Sequence, residues 1–278
     1  MCGICGEINF RHPDQVDPGR VRAMARSLAH RGPDGEGVWH EPGAALGHRR
    51  LAIIDLTEAA SQPMAADGGR YQIVFNGEIY NHPALRKELE EQGERFATRS
   101  DTEVILRALV AWGLEETLPR LEGMWAFALW DRIERRLVLC RDRMGIKPLY
   151  FATTPGGIVF ASEIHPLLLH PSVTREIHLK SLCEQVACRY VLAPHTLLKG
   201  IRKLPPGHHL VLKEDSTRIS PYWRIPLGGL TCPVAEEDAL AGFSHHFEQS
   251  VQDRLLSDVP LGVLLSGGVD SSAVVVSG

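Results

Sequence analysis

Over the first two hundred positions, apolar residues alternate at short range more often than they recur at helical spacing. Gly3 to Phe10 reads as a strand. So do GVWH, AALGH, LAIID and YQIVF, the last running into NGEIYN. In GMWAFALWD, Trp125, Phe127 and Leu129 share one face by the period of two. RRLVLCRD, PLYFAT, GIVFAS and GHHLVLK continue the β-rich pattern. Helical spacing interrupts it. In DPGRVRAMARSLAHRG, Val21, Met24, Ala25 and Leu28 fall on one face; Asp17 can cap, Pro18 suits the first position, and Gly32 is expected to end the helix. Asn81 is expected to cap HPALRKELEEQG, which stops at Gly93. SDTEVILRALVAWG carries Ser100 and Glu103 at capping-box spacing, and HLKSLCEQVACRY is a further helix. Short strands with helices before and between them predict a layered α+β architecture, not strict βαβ alternation.

The pattern changes after Lys213. Pro221, Pro226, Gly228, Gly229 and Pro233 punctuate the chain to Val234, which reads as a linker. A helix is expected from about Glu236 to Ser257, with Leu240, Phe243, Phe247, Val251 and Leu255 at helical spacing. A buried strand, LGVLL, and the loop SGGVDSS follow, with a helix starting at AVVV. A glycine-rich strand-to-helix turn offers backbone N–H groups to an anion. No Gly-Lys-Ser/Thr follows it, so it is not a Walker A loop; the competing structural reading is a tight Ser/Gly turn.

Composition narrows the class. The 278 residues suggest one large domain, or one domain and part of another. Hydrophobic content of 44% and charged content of 23% exclude a disordered chain. Thirty Lys and Arg against 34 Asp and Glu leave no basic field for nucleic acid. Six irregularly spaced cysteines do not make a disulfide scaffold, and no leader pattern opens the chain. Gly, Ser and Asp270 interrupt the apolar run at the end, so no membrane span is expected. A reducing cytoplasm fits these features. His208–His209 and His245–His246 are adjacent pairs, which do not converge on one ion, and no metal is expected in the first domain.

The chain opens MCGICGE. If Met1 is removed, Cys2 carries both a thiol and an α-amine of pKa about 7.7–8.0, a base adjoining its own nucleophile. The competing readings of Cys2 and Cys5 are a redox pair or a zinc half-site. The first expects a helix N-terminus in a thioredoxin-like unit and the second expects another pair, and neither is present. Cys5 is expected to be a small buried hydrophobe.

MCGICGE, HRGPDGEG, GHRRLAIIDL, FNGEIYN, SDTEVIL and RDRMGIKPLY resemble, in order, the motifs of class II glutamine amidotransferases, which are N-terminal-nucleophile hydrolases. SGGVDSS after such a domain, with RYVLAPHTLLKGIRKLPPGHHLVL and PYW between, narrows the resemblance to the asparagine-synthetase type. It covers essentially the whole chain. It implies a four-layer αββα sandwich over residues 2–213. Residues 214–278 would be a linker and the incomplete start of an α/β ATP-pyrophosphatase domain.

The resemblance also implies roles. Cys2 attacks the glutamine side-chain amide. Asn76 and the N–H of Gly77 stabilise the oxyanion. Arg50 grips the α-carboxylate, while Asp101 and Glu78 lie near the α-ammonium. Backbone groups of Leu51 to Asp55, through Ile53 and Ile54, complete the pocket. Local readings compete: Asp101 as a helix N-terminal acid, Arg50 as half of a solvated basic pair with Arg49, and NGE as a hairpin turn. RGPDG (Arg31 to Gly35) is expected to be structural or loop-closing. ATP would be held by the backbone around Leu265, and its phosphates, with Mg²⁺, by Ser266, Gly267, Gly268, Asp270, Ser271 and Ser272. The glutaminase half would need no cofactor.

The implied reaction converts ATP, aspartate and glutamine to AMP, pyrophosphate, asparagine and glutamate, with this chain retaining the glutaminase half. Partners are these small molecules, without nucleic acid or membrane; a homodimer is left open. Two alternatives remain: amidation of another acceptor, a peptide or sugar, and a non-catalytic regulatory or binding module.

Overall fold

A computed structural model describes residues 1–227 and 234–278. Gly228, Gly229 and Pro233 of the expected linker, and Cys232, lie outside the described residues. The chain divides into two compact units: Met1–Ala52 with Thr57–Arg224, and Ile53–Leu56 with Ile225–Gly278.

The first unit begins with strand β1 (Gly3–Asn9), helix α1 (Pro18–Ser27), β2 (Gly35–Glu41) and β3 (Ala44–Arg50). Asp17 caps α1 by accepting from the Gly19 N–H at 2.7 Å. The helix ends at Ser27, before Gly32, because the Leu28 N–H turns back onto Ala25. Then come β4 (Met64–Ala66), β5 (Tyr71–Ile79), α2 (His82–Glu91), α3 (Asp101–Ala111), α4 (Gly113–Arg120), β6 (Gly123–Asp131) and β7 (Arg136–Arg141). They are followed by β8 (Tyr150–Thr154), β9 (Gly157–Ala161), α5 (Ile164–Leu167), α6 (Leu179–Cys188), β10 (Ile201–Lys203), β11 (His208–Lys213) and β12 (Ser216–Pro221).

Two six-stranded sheets result, ordered β10-β8-β9-β1-β3-β2 and β12-β11-β7-β6-β5-β4. The pairs within them are antiparallel. Period-two alternation sends each strand's side chains to two faces, and in central strands such as β1 and β6 both faces are buried. On β6, Ala126, Ala128 and Trp130 join Ile4, Ile8, Leu46, Phe151 and Phe160 between the sheets. The same strand's Trp125, Phe127 and Leu129 face Leu85, Leu89, Val104 and Leu118 of the α2–α4 layer. On the other side, Cys5, Ala45 and Val159 meet Val21, Met24, Ala25 and Leu167 of α1 and α5. Helix, sheet, sheet, helix is the expected αββα sandwich, and Cys5 is the expected packing residue.

Several elements differ from the sequence reading. LAIID is not a strand, and Asp55 within it has φ 54°. Asn81 stands at the start of α2 without capping it, since its amide bonds Arg120 O and the Glu122 N–H. α3 has half a capping box: Ser100 Oγ accepts from the Glu103 N–H, while Glu103 accepts from Ala97 and Thr98. β12 lies inside the stretch read as a linker, where it completes the second sheet beside β11.

The second unit holds α7 (Glu236–Gln252) and α8 (Val269–Ser277). The Gln252 side chain donates to Ser277 O at 2.9 Å. Of the apolar face predicted on α7, Val251 is buried, whereas Leu240 and Phe243 are exposed. LGVLL is not a strand, and Leu264 is 96% exposed. An apolar strand of this kind is stable with sheet neighbours on its edges, and none of the described residues pairs with it.

Candidate active site

The antiparallel pairing of β1 with β3 sets Gly3 opposite Arg49, which carries Cys2 to the chain leaving β3. There the Cys2 thiol donates to Leu51 O at 3.6 Å, and the Leu51 N–H reaches Cys2 Sγ at 3.4 Å. Arg31 fixes Cys2 from the other side, its Nε donating to Cys2 O at 3.0 Å. The Leu51 backbone is held in turn by Asp34. The Asp34 N–H donates to Arg50 O, and its carboxylate accepts from the Ala52 N–H, both at 2.9 Å. RGPDG is therefore a loop-closing segment, as its composition suggested. Burial pushes the Cys2 thiol above its ordinary range; the Leu51 N–H, the amino terminus and Arg50 oppose this, and Asp101 adds to it. Burial likewise lowers the pKa of the Met1 amine.

Asn76 and Gly77 lie inside β5, not at a turn. β6 covers one edge of β5 throughout, but β4 covers the other only from Tyr71 to Ile73. Beyond Ile73 side chains replace the missing strand. Gln62 Oε1 accepts from the Phe75 N–H at 2.6 Å, His48 Nε2 contacts Phe75 O at 3.1 Å, and Asp101 Oδ2 accepts from the Ile79 N–H at 3.0 Å. Burial pushes the His48 pKa down to about 3, so the ring is neutral and donates. Alternation directs the Gly77 N–H to this same edge, midway between two satisfied groups, and no described residue accepts from it. Asn76 is 1% exposed, and neither its Nδ2 nor its Oδ1 has a partner. Glycine is required at 77 because a Cβ there would fall 2.4 Å from Met124 O.

Asp101, 5% exposed, opens α3, and burial pushes its pKa up to about 6 against the pull of its backbone N–H contacts. Glu78 adjoins Gly77 and is half-buried. Arg50 ends β3 and donates through Nη1 to Thr57 O at 2.7 Å. Ile53, Ile54 and Asp55 belong to the second unit. There Ile53 O accepts from the Asp258 N–H at 2.9 Å, and the Asp55 N–H donates to Asp258 Oδ2 at 2.8 Å.

Sequence reasoning assigned no role to His48, Gln62 or Lys147. His48 and Gln62 reach Phe75 from elsewhere in the chain and leave no local pattern, whereas Lys147 lies within a motif already noted, RDRMGIKPLY.

In the second unit, Gly267 has φ 78°, which favours glycine, and Gly268 caps α8. Ser266 Oγ and Ser271 Oγ lie 3.0 Å apart, and Ser271 Oγ donates to Gly268 O at 3.1 Å. The first helical bond runs from Ser272 N–H to Gly268 O. The N–H groups of Val269, Asp270 and Ser271 thus have no carbonyl within the helix. Leu265 precedes them, 59% exposed. This donor set fits a phosphate group.

A sequence model described as the glutamine amidotransferase domain matches residues 1–223. The chain belongs to that family. A second model, described as asparagine synthase, matches residues 242–277. Among curated relatives, asparagine synthetase [glutamine-hydrolyzing] 3 of Bacillus subtilis is 37% identical, over 99% of this chain and 44% of its own length. Asparagine synthetase [glutamine-hydrolyzing] 1 of the same organism is 38% identical, over 99% of this chain and 43% of its own. The corresponding synthetase 3 of Arabidopsis thaliana is 36% identical, over 99% and 42%. The chain thus spans less than half the length of these relatives. Among solved structures, the B. subtilis glutamine PRPP amidotransferase complexed with ADP and GMP superposes with TM-score 0.58 at 20% identity, over 80% of this chain and 49% of that one. A structure of the allosteric regulatory enzyme of purine biosynthesis gives 0.61 at 20%, with the same coverage. These likenesses show that the αββα fold is shared with those chains. No helix among the described residues is long and apolar enough to cross a membrane.

Proposed function

We propose that this amidotransferase chain hydrolyses glutamine at Cys2 and that the ammonia serves asparagine synthesis in the longer protein. The observation that carries the reading is the Asn76 carboxamide, buried with both polar atoms unbonded, adjoining Gly77, whose N–H faces the edge that β4 leaves uncovered. Buried polar groups are nearly always paired, so an orphan carboxamide and an open N–H on adjoining residues point to a ligand oxygen that arrives later.

The chemistry follows from these positions. With Met1 removed, the Cys2 α-amine takes the thiol proton. The sulfur attacks the glutamine side-chain carbonyl, and the oxyanion is met by Asn76 Nδ2 and the Gly77 N–H. The amine returns its proton to the leaving nitrogen, the C–N bond breaks, and ammonia departs from a γ-glutamyl thioester. Water then cleaves the thioester to glutamate. Arg50 pairs with the substrate carboxylate, where a planar fork suits two oxygens. Asp101 and Glu78 face its ammonium, and Leu51 and Ala52 lend backbone groups to the pocket.

Relatives named as glutamine-hydrolysing asparagine synthetases support aspartate as the acceptor. In the longer protein, ATP supplies the activating adenylyl group. The α8 loop from Ser266 to Ser272 would hold its phosphates and Mg²⁺ there, with Leu265 beside the nucleotide. The test is glutamate release. The Met-processed chain is expected to turn over glutamine and Cys2→Ala to release none; turnover by Cys2→Ala overturns the reading.

A further inference from the structure

Gln62 joins the elements on either side of the open position in β5. Alternate residues of a strand face the same edge, so the N–H groups of Phe75, Gly77 and Ile79 follow one another along the edge opposite β6. Where β4 has ended, the first turn of α3 stands in for it. The Asp101 carboxylate accepts directly from the Ile79 N–H at 3.0 Å. The next residue, Thr102, reaches the Phe75 N–H through Gln62. The Gly77 N–H stands between these two attachments, and no described residue accepts from it.

The Gln62 carboxamide is bonded at both ends. A backbone N–H only donates, so the atom 2.6 Å from the Phe75 nitrogen is the carboxamide oxygen. That leaves Nε2 to donate to Thr102 Oγ1 at 3.1 Å. Gln62 is 8% exposed and Thr102 4%, so water does not compete freely for either bond. The Phe75 C=O, on the same edge, is bonded by His48 at 3.1 Å. The length of the Gln62 bridge therefore sets how far Phe75 stands from α3, as the direct bond to Asp101 does for Ile79. Between these two fixed points the edge of β5 keeps a gap at Gly77.

We propose that Gln62 is a positioning residue of the glutaminase centre: its carboxamide, bridging the Phe75 N–H and the Thr102 hydroxyl, fixes the Gly77 N–H against the turn of α3 that carries Asp101. This rests on the reading that Asn76 and Gly77 meet the oxyanion. Gln62 takes no part in the covalent steps and moves no proton. Oxyanion donors work by being in place before the charge forms, so their effect falls when the strand that carries them can shift. Arg50 and Asp101 keep their own attachments when Gln62 is replaced. The loss should therefore appear in kcat and leave KM nearly unchanged.

The experiment pairs steady-state glutamine hydrolysis by the full Met-processed chain with residue-resolved amide hydrogen exchange and a thermal melt of the same preparations. Gln62→Met keeps the length of the side chain and removes both bonds. It is expected to lower kcat about 10–10²-fold with KM within about twofold of wild type. Exchange at Phe75 should become fast, while Val74 and Asn76, whose N–H groups face β6, stay protected. Gln62→Glu should restore most of kcat, since a carboxylic acid offers the same acceptor to Phe75 and a donor to Thr102. Thr102→Val leaves the Phe75 bond and frees the other end of the bridge; it should lower kcat several-fold, and Thr102→Ser should restore it. Gln62→Met with Thr102→Val should fall no further than Gln62→Met alone, because both act through one bridge. If Gln62→Met does not fold, the Thr102 pair carries the comparison. A wild-type kcat per folded chain in Gln62→Met or Thr102→Val overturns the proposal, and so does a double variant in which the two losses multiply. A wild-type chain that releases no glutamate overturns the glutaminase reading instead. Exchange at Phe75 still reports the bridge in that case, and fast exchange there in the wild-type chain overturns it.

Discussion

Burying a carboxamide with neither atom bonded costs stability, and Asn76 is such a group, 1% exposed inside β5. Under the proposed glutaminase role, that cost is recovered when an oxyanion forms. Asn76→Ala is therefore expected to lower kcat for glutamine hydrolysis about 10²–10³-fold while leaving the melting temperature unchanged or raised. Steady-state kinetics with a thermal melt of the same preparation checks both. Asp101 gives the pH dependence. Its carboxyl ionises at about 6 in the folded chain against 3.8 ordinarily. Between those values the folded chain keeps a proton that the unfolded chain has lost, so this group's contribution to stability falls as pH rises from about 4 to about 6. Asp101→Asn should flatten that slope in denaturant titrations. Under the proposed role the same ionisation creates the charge facing the substrate ammonium, so KM for glutamine should rise as pH drops below about 6. A KM constant from pH 7 to pH 5 would contradict the placement of Asp101.

At the scale of elements, the site is made where β4 stops. β5 runs on past its neighbour, and Gln62, His48 and Asp101 take over the ladder at alternate positions, leaving Gly77 open between them. Gly77→Ala would place a Cβ 2.4 Å from Met124 O, so loss of activity should come with a fall in melting temperature. The turn from Asp142 to Lys147 depends on one carboxylate that accepts four N–H groups. Asp142→Ala is expected to destabilise the chain by about 2–4 kcal/mol in denaturant unfolding, since several buried donors lose their acceptor together. Most of these elements were readable in the sequence because a strand buried on both faces still alternates, as Trp125, Phe127 and Leu129 do. LAIID misled because its apolar residues belong to a loop pinned by Asp34. The gap in the ladder, and the side chains that fill it, were not readable, since Gln62, His48 and Asp101 reach β5 from distant parts of the chain. Resemblance supplied Cys2, Asn76 and Gly77; the structure supplied the reason that the amide and the N–H are unbonded.

At the scale of the molecule, the two units differ in how they bury apolar surface. The first buries three apolar clusters across four layers. In the second, Leu240, Phe243, Leu261, Val263 and Leu264 are exposed, and LGVLL lacks strand neighbours. Amide hydrogens from 261 to 265 should therefore exchange at rates near those of an unstructured peptide, while those of β5 and β6 are strongly protected. Slow exchange at 261–265 in the monomeric chain would contradict that description. The most direct test of the glutaminase site is to mix the Met-processed chain with glutamine, quench in acid and weigh its N-terminal peptide. A glutamyl adduct on Cys2, absent from Cys2→Ser and from chain that retains Met1, is the predicted result. Glutamate release by chain that retains Met1, or by Cys2→Ser, would contradict it.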